Sequence, residues 1–173
     1  MSSFSQTLLA CHASLYRYAR ALCRDPGRAE ELVQETYKRA LAARRQPEAP
    51  VMDQVRPWAF TIMRRLWQNE LRQTRHQAAA DPAAECADPA GETPETLLMR
   101  KLLRSEIVQA IDSLPEVFRE VLILREIEGL SYADIAHVLD CPRGTVMSRL
   151  ARSRLLLRRQ FLRFAPSSRE VRQ

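Results

Sequence analysis

At 173 residues the chain is long enough for one ordinary domain or two small ones, and composition alone does not choose between them. Its 27 basic and 21 acidic residues give a net charge of +6, which favours a polyanionic partner, and all the basic residues except Lys38 and Lys101 are arginines, suited to bidentate contact with phosphate or guanine. Four cysteines without a CxxC pair and three unclustered histidines argue against a metal site. No signal-peptide pattern or membrane-length apolar run is present, so a soluble, cytoplasmic protein without cofactor is expected.

Apolar residues recur at three and four throughout, which predicts an all-α chain. The first helix is expected over Leu8 to Leu22. Asp25 and Pro26 then supply a cap and a first-turn proline for a second helix, with Ala29, Leu32, Val33, Thr36, Tyr37, Ala40 and Leu41 on one side and Glu31, Gln34, Glu35 and Lys38 on the other. A proline-bounded loop, "QPEAPVMDQVRP", leads to a third helix from Trp58 to about His76. The stretch "AAADPAAECADPAGETPET", residues 78–96, carries five acidic residues, no basic ones and no apolar stripe, and reads as a flexible linker.

Beyond the linker, Leu97 to Ser113 is amphipathic through Leu98, Leu102, Ile107, Ala110 and Ile111. Pro115 opens the next helix and Gly129 closes it. Ser131 and Asp134 form a capping box for a short helix holding Ile135, Ala136 and Leu139, and the turn "DCPRG" launches the last long helix. The fold class is therefore two small helical domains joined by a flexible linker: residues 1–77, a linker at 78–96, a second domain at 97–165, and a basic, disordered tail at 166–173.

The pattern "GLSYADIAHVLDCPRGTVMSRLARSR" has the two short helices and tight turn of a helix-turn-helix. On the last helix Val146, Leu150, Ser153 and Leu157 fall on one face. Thr145, Ser148, Arg149 and Arg152 fall on another, with Arg143 near the N-terminus, where such helices touch bases. Residues 141–173 hold nine arginines and one glutamate, a charge of +8 that suits counterion release on DNA. Leu155, Leu156 and Leu157 run consecutively, so at least one must face outward or be covered. A second signal lies in residues 56–76, where five arginines and one glutamate are interleaved with Trp58, Phe60, Trp67 and Asn69, the mixture that unstacked single-stranded bases require. Trp58 and Phe60 are expected in the core; Trp67, among Arg64, Arg65, Gln68 and Asn69, stands open to either role.

The succession "RAEELVQETYKRAL", "RPWAFTIMRRLWQNELR" and "LPEVFREVLILREIEGLSYADIAHVLDCPRGTVMSRLARSR" resembles the extracytoplasmic-function (ECF) class of bacterial RNA polymerase sigma factors. The resemblance implies a non-enzymatic initiation subunit with no catalytic residues. Its sigma-two-like domain would read and melt the −10 element, and its sigma-four-like domain would read the −35 element. It assigns Glu31, Gln34 and Glu35 to the β′ clamp helices of core polymerase, with the β flap as a second polymerase contact. To −10 DNA it assigns Arg64, Arg65, Trp67, Gln68, Asn69 and Arg72, with the loop from Gln46 to Gln54 in the place of flipped-base capture. Arg143, Thr145, Ser148, Arg149 and Arg152 are assigned to −35 DNA. The family's linker threads through polymerase near the RNA exit path, where the acidic residues 78–96 would mimic nucleic acid. A cognate anti-sigma factor that clamps the two units closed is also implied. Many members carry asparagine where Arg65 stands and aspartate where Asn69 stands, so −10 recognition is expected to differ in detail.

A stand-alone helix-turn-helix repressor or activator would predict a dimer on palindromic operators, but leaves the "LVQET" helix and the arginine-aromatic helix unexplained. A nucleic-acid enzyme would need a cluster of carboxylates or histidines on one face, which the sequence does not offer. A purely structural interaction protein has no use for the +8 C-terminal segment. Cys11 and Cys23 lie at core spacing and are expected as buried thiols rather than redox switches.

Overall fold

The computed structural model describes residues 3–44, 50–75 and 106–164, and every regular element among them is helical. The first expected helix is two: α1 (Ser3–Ala10) and α2 (His12–Cys23). They part at Cys11, whose N–H takes the Leu8 carbonyl at 3.1 Å in a tight i to i−3 turn while its thiol takes the Thr7 carbonyl. Neither glycine nor proline marks this break, so periodicity alone ran through it.

Arg24 ends α2 in the left-handed region with φ 60°. Asp25 then caps α3 (Pro26–Ala43) by accepting from the Arg28 N–H at 2.7 Å, with Pro26 in the first turn, as the sequence predicts. The buried side of α3 is narrower than expected. Ala29, Leu32, Val33, Thr36 and Ala40 are buried, whereas Tyr37 is half-buried and Leu41 is exposed. A short 3-10 turn (Met52–Gln54) feeds α4 (Val55–Arg75), which begins before the expected Trp58. Pro57 lies inside its first turn, where a missing N–H breaks no helical hydrogen bond, so it does not bound the helix.

Helix α5 is described over 106–112; the expected stretch before it, the linker, residues 46–49 of the loop, His76 and the basic tail lie outside the described residues. In α5 Ala110 is buried but Ile107 is exposed, so its apolar stripe is only partly used. Pro115 caps rather than begins α6 (Glu116–Leu122), which runs into a π-helical turn, Ile123–Ile127, instead of continuing as a regular helix. Gly129, at φ 67°, ends it by letting the Leu130 N–H return to the Leu124 carbonyl at 3.0 Å.

The helix-turn-helix follows. Ser131 caps α7 (Tyr132–Val138) by accepting from the Asp134 N–H at 3.1 Å, and Asp140, at φ 47°, turns the chain into α8 (Arg143–Phe164). Val146, Leu150 and Ser153 are buried; Leu157 is half-buried. Of the three consecutive leucines, Leu155 faces outward, while Leu156 and Leu157 pack against the core.

One apolar cluster runs from Phe4 in α1 to Leu150 in α8, because α4 lies against α7 and α2 lies against α6 and the π-turn. Tyr18 and Phe60, both fully buried, meet edge to face at 5.3 Å within it. The two halves of the chain are thus packed on one another.

Candidate nucleic-acid interface

Helix α4 sets its candidate residues in different surroundings. Arg65, Asn69 and Arg72, at i, i+4 and i+7, are exposed. With Arg39 and Ala43 of α3, Arg65 and Asn69 line a cleft of about 260 Å³ floored by Trp58, Ile62 and Leu66. Arg64 and Gln68 sit together, and Arg64 is turned toward the C-terminal half. Arg64 donates through Nε to Glu120 Oε1 at 3.3 Å, and Gln68, with its amide oxygen toward Arg64, accepts from Nη2 at 2.8 Å. Trp67 lies on the core side of Arg64, half-buried, with an indole N–H that is buried and meets no acceptor among the described residues. As expected, Phe60 is core; Trp58 is half-buried, edge to face with Phe4.

On α8 Thr145, Ser148, Arg149 and Arg152 share one side, and Arg143 stands apart from them in the first turn of the helix. Arg143, Ser148 and Arg152 are exposed, Thr145 and Arg149 half-buried, and no described carboxylate pairs with any of the three arginines. Ser148 turns its hydroxyl onto the Thr145 carbonyl at 3.0 Å, and Met147 stands exposed beside the row. Arg154 is instead tied to Glu126 of the π-turn.

Glu31, Gln34 and Glu35 share the outer side of α3, but the two acids are not free charges. Glu31 pairs with Arg28 at 2.7 Å, Arg28 also bridges to Glu70 on α4, and Glu35 meets Arg39 at 3.2 Å and Lys38 at 3.7 Å. Such exposed pairs contribute little to stability, so they exchange readily for a partner's charges.

The contact between the halves is polar at two points. Glu128, wholly buried, takes Arg17 through Nε at 2.9 Å and Nη2 at 3.1 Å, and Arg56 through Nη2 at 3.0 Å. Glu120, almost as buried, takes the Tyr18 hydroxyl at 3.2 Å as well as Arg64. Desolvation is the main cause that pushes the Glu120 carboxyl up from its ordinary value, opposed by the Arg64 charge. Burial also pushes the Tyr18 hydroxyl well up. The sequence reading did not single out these two glutamates, Arg17 or Arg56. A signal was present: Glu128 falls on the same helical stripe as Val121 and Leu124, and a charge on an apolar stripe calls for a partner.

No three described His, Cys, Asp or Glu residues cluster to hold a metal ion, and no described helix is long and apolar enough to cross a membrane. Cys11 is buried and its thiol is pushed up; Cys23 is half-buried and pushed up to about 11, in both cases mainly by burial. Both stay protonated at neutral pH.

Residues 8–77 match the Sigma-70 region 2 family and residues 104–157 the Sigma-70 region 4 family. Two such regions on one all-α chain define a transcription initiation factor of the sigma class. An ECF RNA polymerase sigma factor, EcfG of Rhodopseudomonas palustris, is 34% identical over 163 residues, covering 88% of this chain and 81% of that protein. The chain therefore belongs to the ECF RNA polymerase sigma factors, whose partners are core RNA polymerase and promoter DNA. The sigma factor RpoE of Bartonella quintana, solved in complex with the anti-sigma factor NepR, superposes with a TM-score of 0.74 at 26% identity over 94% of this chain and 98% of that one. The structure of CnrH in complex with the cytosolic domain of CnrY shares the fold, with a TM-score of 0.62 at 21% identity over 94% of this chain and 89% of that one.

Proposed function

We propose that this sigma factor reads the −35 element with Arg143, Thr145, Ser148, Arg149 and Arg152 of α8, and melts and reads the −10 element with Arg64, Arg65, Trp67, Gln68, Asn69 and Arg72 of α4. Glu31, Gln34 and Glu35 of α3 dock on the β′ clamp helices, and the C-terminal unit, 97–165, docks on the β flap. The N-terminal unit, 1–77, carries the −10 and clamp functions; the acidic segment 78–96 spans between the units. The factor is not an enzyme. It works in the cytoplasm, where its polymerase is.

The observation that carries this reading is the outward row of α8. Three arginines flank hydroxyl side chains on the second helix of a helix-turn-helix, and none is neutralised by a described carboxylate. On α4, arginines beside Trp67 fit a strand whose bases leave the stack, a step costing a few kcal/mol that stacking must offset. The resemblance to RpoE in complex with NepR supports a cognate anti-sigma factor that binds the packed form.

Run-off transcription with purified core polymerase and a fragmented genomic library tests the reading. Discrete transcripts that need this protein, from sites sharing −35 and −10 elements, are expected. Tight duplex binding by the protein alone with no new transcript would count against it.

A further inference from the structure

Glu120 and Glu128 are the buried carboxylates among the described residues, and both lie in the C-terminal half. Their charged partners all come from the N-terminal half: Arg17 of α2, and Arg56 and Arg64 of α4. Arg17 and Arg56 converge on one carboxylate, with the Ser14 hydroxyl accepting from both at 3.2 and 3.4 Å. Two guanidinium groups converging on one carboxylate is an arrangement that a phosphate also satisfies.

A buried ion pair adds little net stability, because desolvation offsets the attraction. These contacts therefore fix where the halves meet without binding them tightly. When the halves part, three arginines, Arg17 on α2 and Arg56 and Arg64 on α4, lose these carboxylates. A polyanion is the natural replacement for the two glutamates.

We propose that Glu120 and Glu128 are an internal phosphate mimic that occupies an arginine face (Arg17, Arg56 and Arg64), with Glu128 holding the C-terminal half there, and that in the opened chain this face tracks the phosphates of single-stranded promoter DNA. This rests on the reading of α4 as the −10 helix and extends it to Arg17 and Arg56. The packed form is thereby self-masked, and a DNA strand competes with the protein's own acids for the same arginines.

The test uses the full chain, a fluorescent single-stranded oligonucleotide of mixed sequence titrated at several salt concentrations, and small-angle scattering to follow opening, with circular dichroism to verify helicity. Glu128→Lys is expected to expand the chain and bind the strand about tenfold tighter than the unsubstituted protein at the same salt. Glu128→Gln, nearly isosteric, moves both readouts the same way by less, and decides the matter if the lysine variant does not fold. Adding Arg17→Ala and Arg56→Ala to either variant is expected to keep the chain open, abolish the gain, and flatten the dependence of log affinity on log salt by about 1.4 for two lost phosphate contacts.

An opened chain with unchanged strand affinity overturns the proposal. So does a gain that survives loss of both arginines, which would mark it as an effect of added charge, and so does a chain that stays as compact as the parent. If strand binding by the opened chain depends on Trp67→Ala but not on the arginine substitutions, the inference fails while the reading of α4 stands. If no opened variant binds the strand, both fall.

Discussion

Arg17 in α2 and Glu128 at the end of the π-turn, 111 positions apart in the chain, form a two-point guanidinium–carboxylate bridge at 2.9 and 3.1 Å. The carboxylate is fully buried while Arg17 is half-exposed, so the contact is solvated on one side and sealed on the other. Reversing one partner, Arg17→Glu, sets two acids against each other and leaves Arg56 as the remaining cation on Glu128. The half-exposed arginine limits the loss to about 1–2 kcal/mol of the packed form, below the 3–5 kcal/mol typical of a fully buried pair that loses a partner. The double exchange Arg17→Glu with Glu128→Arg restores part of that loss. Scattering or limited proteolysis of the single and double variants measures it. Equal expansion of both would show that the bridge does not position the halves.

Glu120 gives the packed form a dependence on pH with a definite sign. It faces the Tyr18 hydroxyl from α2, Arg64 from α4 and Glu116 from its own helix, and its carboxyl is raised, chiefly by desolvation. A raised acid binds its proton more tightly in the packed form than in the open one. Its contribution is therefore fully present below the ordinary carboxylate value and is lost as pH rises through the raised value. Compaction is expected to increase as pH falls below neutral through that raised value, at constant salt. Glu120→Gln is expected to remove that increment and to pack at pH 7 at least as well as the parent. Scattering profiles across the pH series check both statements, and a parent chain that expands on mild acidification would reverse the sign.

The all-α fold, the Asp25 and Ser131 caps, the turn at Gly129 and the exposed polar row of α8 were legible because each depends on local chemistry: a side chain capping its own helix, a positive φ, a period of 3.6. The break at Cys11 and the π-turn after Leu122 were not, since neither contains the glycine or proline that marks a departure from helix. The split of the −10 candidates was half-legible. Spacing alone sets Arg64 apart from Arg65 and Asn69, but only packing shows that Glu120 covers Arg64 and that Gln68 accepts from it. Pairing across 111 positions, as between Arg17 and Glu128, has no local signature beyond a charge on an apolar stripe.

Substitutions on α8 are expected to separate the proposed promoter reading from polymerase binding. Arg152 is exposed and Arg149 half-buried, and neither pairs with a described carboxylate, so Arg152→Ala breaks no described ion pair and tests the proposed DNA contact directly. Each bidentate base contact discriminates by about 1–3 kcal/mol, so the double variant Arg149→Ala with Arg152→Ala is expected to weaken −35 recognition by roughly tenfold or more. Affinity for core polymerase stays unchanged. Footprinting of the holoenzyme reads the first effect and a core-binding titration the second; an intact upstream footprint would remove these arginines from the reading face.

On α3 the polymerase-facing assignment meets a stricter condition, because Glu35 already holds Arg39 and Lys38. Changing Gln34 and Glu35 together to arginine replaces an acidic and amide surface by two cations and leaves Arg39 and Lys38 without their acid. Both sites lie off the buried side of the helix, formed by Leu32, Val33 and Thr36, so helicity and thermal stability are expected to hold within about 0.5 kcal/mol, the usual range for surface substitutions. Core binding is expected to fall at least tenfold, since like charges placed across a complementary interface cost several kcal/mol. A competition assay against the unsubstituted protein for a limiting amount of core polymerase measures the ratio directly. Equal competition by a variant of unaltered stability would move the docking surface off this side of α3. The neutral substitution Glu35→Gln, with Gln34 kept, separates the two causes of a loss: full binding by it would locate the effect in the introduced charge rather than in a missing contact.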